Sequence, residues 1–122
     1  MIFDIYSFVV VFLFILLDIL TGVTQAVKNK TLSSNVMREG IYHKLGYVFI
    51  LLTAMLCEYG MKFLDLGFTA PITIPCMVMI SLTEVISILE NITRITPEIA
   101  DSEIFNLLSN NKLRRHDDEQ EL

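Results

Sequence analysis

Three carboxylates sit well inside long apolar stretches of this chain: Asp18, Glu58 and Glu84. An ionised acid deep in hydrocarbon costs about 2.5–3.5 kcal/mol even on lenient insertion scales. A chain that carries three must hide them in helix–helix seams or along a wet path, and function belongs there. Their neighbours follow helical spacing. In the first stretch Asp4, Ser7, Val11, Phe14, Asp18, Thr21, Gly22 and Gln25 recur at three and four, and six of those eight are small or polar. In the third stretch Ser81, Glu84, Ser87, Asn91 and Arg94 share one face, and Glu90 precedes Arg94 by one turn as a structural ion pair. In the second, Gly46, Ile50, Thr53, Cys57 and Gly60 make a mostly small ridge of the kind that lets membrane helices approach closely. Glu58 lies beside that ridge, with Lys62 one turn further on as its simplest partner. The set expected to meet protein or water, at an oligomer interface or along a wet path, is Asp18, Thr21, Gly22, Gln25, Glu58, Ser81, Glu84, Ser87 and Asn91. A blander account makes the serines and Thr53 helix glue and leaves Glu58 near an interface.

Three membrane-crossing helices are needed to position these groups. A bilayer core takes about 20 apolar residues as helix, and 53% of the 122 residues are hydrophobic, gathered in blocks. Ile5 to Val27 supplies the first span, Leu45 to Leu64 the second, and Pro71 to Arg94 the third. Pro71 and Pro75 are four apart, so a continuous helix through both would clash. The third helix therefore starts near Pro75 or is kinked there. The expected architecture is an all-α membrane protein: a three-span domain over 1–95, a short cytoplasmic amphipathic helix over 96–110, and a disordered charged tail over 111–122. Thr96 would cap the short helix, Pro97 would be its first residue, and Ile104, Leu107 and Leu108 would form its apolar side.

Basic residues give the orientation. Lys28, Lys30, Arg38 and Lys44 fall in the first connection, and Arg94, Lys112, Arg114 and Arg115 follow the third span, so eight of nine lie on one side. Only Lys62 falls opposite. The positive-inside rule puts the N-terminus outside and the C-terminus in the cytoplasm. The first span is read as retained rather than as a signal peptide, because no basic residue precedes it and its apolar run outlasts any cleavage site.

Several classes are disfavoured. A net charge of −5 does not suit nucleic acid. Cys57 and Cys76 lie in apolar runs without metal-ligand spacing, and His43 and His116 are isolated. No phosphate-cradling glycine loop occurs. Neither an enzyme, a metal nor a cofactor is expected.

Two strings carry a family resemblance. DILTGVTQAVKNKTLSSNVMREGIYHKLG resembles the opening of the phage lysis and toxin-secretion holin family, the group that includes clostridial toxin-release holins. Its matching positions here are Asp18, Thr21, Gly22, Lys28, Lys30, Ser34, Gly40 and Lys44. SLTEVISILEN is similar to that family's second signature through Ser81, Glu84, Ser87, Glu90 and Asn91. The chain departs from the family after this point, reading ITRITPEIA where many members carry a glycine-rich turn. The resemblance implies a homo-oligomer of many copies in the host cytoplasmic membrane, functionally coupled to an endolysin or a toxin that leaves through its lesions. The competing readings are a small proton-coupled transporter, which usually has four compact spans, and a structural or regulatory subunit of a membrane complex.

Overall fold

The computed structural model describes residues 5–101, which form three long helices and one short 3-10 turn. Helix α1 spans Ile5–Lys28, α2 spans Ser34–Phe63 and α3 spans Thr73–Ile95; the 3-10 turn follows at Pro97–Asp101. All three helices are long and apolar enough to cross a membrane, and no strand occurs among the described residues. The expected Thr96 cap instead closes α3, its N–H donating to the Ile92 carbonyl. Ile104, Leu107, Leu108 and the expected tail over 111–122 lie outside the described residues, as does Asp4.

Helix ends depart from the apolar boundaries for local reasons. Helix α2 begins at Ser34 rather than near Leu45, because the Ser33 hydroxyl accepts the Val36 N–H at 3.2 Å and no breaker follows. Helix α3 begins two residues before Pro75, which therefore sits in the first turn, where a missing N–H breaks no helical bond. Pro71 stays outside the helix, so the two prolines never clash.

The α1–α2 turn closes as a Schellman motif: Thr31 N–H reaches Ala26 O at 2.9 Å, and Lys30 N–H reaches Val27 O at 3.3 Å. Lys30 occupies the left-handed position, with φ 57°. Glycine suits that conformation better. Lys30→Gly should therefore raise stability by roughly 0.5–1 kcal/mol, after glycine's extra unfolded-state entropy is subtracted. Thermal unfolding in detergent micelles measures this; an unchanged or lower midpoint would contradict it.

Helices α1 and α3 run parallel and pack along most of their length, with α2 antiparallel against α3. Val11 and Ile15 of α1 meet Leu51 of α2 and Met77 and Ile80 of α3 in one apolar cluster, flanked by Phe8, Tyr47 and Cys76. At the other end Lys28 donates to the Ile95 carbonyl and Asn29 to the Arg94 carbonyl, so the end of α1 caps α3. The exterior is bulky and apolar: Phe12, Leu13, Leu56 and Met79 are among many large side chains left uncovered. For a soluble chain that surface would aggregate; in lipid it is the expected finish.

Candidate functional site

The polar stripes of α1 and α3 both turn inward. On α1, Val11 and Asp18 are buried and Ser7, Phe14, Thr21, Gly22 and Gln25 half-buried. On α3, Glu84 and Asn91 are buried, and Ser81 and Ser87 half-buried. Helical periodicity placed these residues on one face each; packing brings the two faces together.

At their centre lies a charge cluster with one member from each helix. The Lys44 ammonium of α2 donates to Asp18 Oδ2 of α1 and, at 2.5 Å, to Glu84 Oε2 of α3. The side chains are 16%, 10% and 1% exposed respectively, so this is a desolvated triad and not a surface pair. Lys44 also stands 5.9 Å from the centre of the Tyr47 ring, within cation–π reach. Asn91 completes the cluster, its amide donating to Asp18 Oδ1 at 2.9 Å and to the Thr21 hydroxyl at 3.1 Å. Thr21 in turn donates to the Leu17 carbonyl at 2.9 Å. Gly22 faces Asn91 across this contact: a Cβ there would stand 3.5 Å from the Asn91 amide, an ordinary van der Waals distance, so the approach of α1 to Asn91 does not depend on a glycine.

Lys44 is the residue that sequence reasoning did not place here. By residue order it is a charge of the first connection, and Asp18 an acid to be hidden in a helix seam or a wet path. Lys44 stands 26 residues from Asp18 and 40 from Glu84, separations that no periodicity reports. The one available signal was its place in the family-like string, at the far end from Asp18. Because α2 starts early, Lys44 lies ten residues inside that helix, about 15 Å from its end. Its long stem lets the ammonium meet both acids.

Glu58 is elsewhere. It does not pair with Lys62, which is exposed; its Oε1 accepts the Ile72 N–H at 2.9 Å, at the start of α3. A carboxylate there satisfies an otherwise orphaned donor and favours the positive end of the helix dipole. Glu58 is thus a cross-helix cap at the opposite end of α3 from Asn91. Glu90 and Arg94 lie exposed in the last turns of α3. Gln25 accepts from Asn29 at 3.4 Å near the α1 terminus.

A groove of about 310 Å³ opens beside the triad, floored by Asp18, Lys44, Ser87 and Asn91 and walled by Val23, Met37 and others from α1 and α2. It is large enough for several waters. The cluster holds no nucleophile–base pair. What it can do is bind helices together by charge, and take up water if the helices part. Removing one partner of such a buried pair costs about 3–5 kcal/mol, because the other charge is left uncompensated.

These features define a small multi-pass membrane protein, lipid-compatible outside and closed around an internal ionic lock. The profile of the bacteriophage holin family matches residues 3–104, and the chain belongs to that family. No curated protein and no solved structure matches it.

Proposed function

We propose that this protein accumulates in the bacterial cytoplasmic membrane and assembles there into lesions that release an endolysin or a toxin. The observation that carries the reading is the inward turn of the α1 and α3 polar stripes around the triad. A single copy has no path for a macromolecule. Several copies that part α2 from the α1–α3 pair would bring Asp18, Glu84, Ser87 and Asn91 to a shared aqueous lumen, with the bulky apolar faces still against lipid. The triad then acts as the catch between a closed protomer and a hydrated ring.

In this reading the N-terminus is outside and the C-terminus cytoplasmic. Lys28, Lys30, Arg38 and Arg94 support that side assignment, since they cluster at the end where α1 and α3 finish. Lys44 is withdrawn into the bundle and no longer counts toward it. Residues 1–95 serve as the membrane domain, with 96–122 on the cytoplasmic side.

The reading is tested by inducing the protein in bacterial cells that hold a cytoplasmic reporter enzyme. An abrupt onset of dye uptake with release of the folded reporter is expected. Steady leakage of small ions with the reporter fully retained would overturn it and favour the transporter.

A further inference from the structure

The groove beside the triad has a direction. Its lining extends from the α1–α2 turn to the ionic cluster: Thr31 and Ser33 stand at its mouth, Gln25 part way along, and Asn91, Asp18 and Lys44 at its foot. Asp18 lies ten residues before the end of α1 and Lys44 ten after the start of α2, so the groove is about 15 Å deep. That is half of a hydrocarbon core about 30 Å thick. Helices α1 and α2 pack chiefly on α3 and not on each other, which leaves the space between them. Gly40 keeps the α2 wall low, since a Cβ there would meet nothing within 4 Å.

Beyond the foot the bundle changes character. One to two turns further from the α1–α2 turn, along each helix in register, Val11 and Ile15, Leu51, and Met77 and Ile80 are buried in a single apolar cluster. Glu84 does not line the groove, and its side chain is 1% exposed behind Asp18 and Lys44. Two occupants compete for such a groove in a membrane. An acyl chain would strip the remaining solvation from the Asp18 carboxylate and the Lys44 ammonium, and polar groups left unpartnered in hydrocarbon are costly. Water finds a hydrogen-bonding group at the mouth, midway and at the foot, and a volume of about 310 Å³ admits several molecules. The polar floor favours water.

We infer that this groove is an aqueous crevice open to one side of the membrane only, so that water and small hydrophilic solutes reach Asp18 and Lys44 from the side of the α1–α2 turn, while the apolar cluster seals the other side. The closed protomer is then already hydrated through half its depth, and the apolar cluster is the barrier that remains. This is a property of the single protomer and stands whether or not lesions form. Thiol labelling in right-side-out and inside-out membrane vesicles tests it, with a membrane-impermeant quaternary-ammonium methanethiosulfonate as probe and Cys57 and Cys76 replaced by alanine. Thr31→Cys in the α1–α2 turn and Phe68→Cys in the α2–α3 connection mark the two sides. Ser87→Cys on the groove floor should react about tenfold faster from the Thr31→Cys side than from the other, because a thiol reacts only where solvent and reagent can reach it. Gly22→Cys, a second groove position that accommodates a Cβ, should follow the same pattern, and Ile15→Cys in the seal should stay unmodified from both sides. Gly40→Phe, which fills open space, should slow labelling of Ser87→Cys about tenfold by the same loss of access and leave that of Thr31→Cys unchanged. Equal rates from the two sides, ready modification of Ile15→Cys, or an undiminished rate in Gly40→Phe would overturn the crevice. So would protection of both Ser87→Cys and Gly22→Cys from either side, the result expected of a groove filled by lipid.

Discussion

Lys44→Met should leave Asp18 and Glu84 facing each other without a cation and cost the closed protomer about 3–5 kcal/mol. Methionine keeps most of the stem's volume, so the loss is electrostatic and not a cavity. Asn91 still donates to Asp18, but Glu84, 1% exposed at its side chain, has no other cation in the cluster. Two buried carboxylates can escape repulsion by taking up water, and the groove beside them admits it. The variant should therefore unfold at lower denaturant or temperature in micelles, and its lesions should open earlier after induction at matched membrane levels. Wild-type stability together with wild-type timing would show that the triad neither holds the protomer nor sets its opening.

The same cluster shows what the residue order could and could not reveal. Asp18, Glu84 and Asn91 stood out because a helix repeats every three to four residues and an acid in hydrocarbon must be hidden. Their faces were legible one helix at a time. Which groups would meet was not, since Lys44 joins Asp18 across the α1–α2 turn and Glu84 across the α2–α3 connection. Glu58 misled for a related reason. Its nearest cation along the helix was Lys62, yet a backbone N–H at the start of α3 was the better partner, and backbone donors leave no mark in a sequence. The early start of α2 was hidden as well. Apolarity marks where lipid begins, whereas the helix begins where the Ser33 hydroxyl can cap it. Helix α2 also lacks one apolar face opposed to one polar face, because its bundle, lipid and small-residue faces interleave around the axis.

Replacing the whole triad should have the opposite outcome from removing its cation. In Asp18→Leu, Lys44→Met, Glu84→Met together, three charges become apolar side chains of similar reach, and the desolvation cost of burying them disappears. Exchange of a buried ionic cluster for packed hydrophobes is often neutral or stabilising by about 1–4 kcal/mol. The triple variant should thus insert, accumulate and resist thermal unfolding at least as well as the parent chain. It should also fail to open, because the faces turned toward a lumen would no longer gain from water, and an apolar-lined ring holds water poorly. Reporter release should be lost or strongly delayed, although membrane levels are normal. The contrast with Lys44→Met matters more than either variant alone. A purely structural cluster predicts impaired function from lost stability in the first and restored function in the second. A catch predicts early opening in the first and a stable, silent protein in the second. Normal release from the triple variant would mean that the buried charges only position helices, and that the lumen is lined from another face.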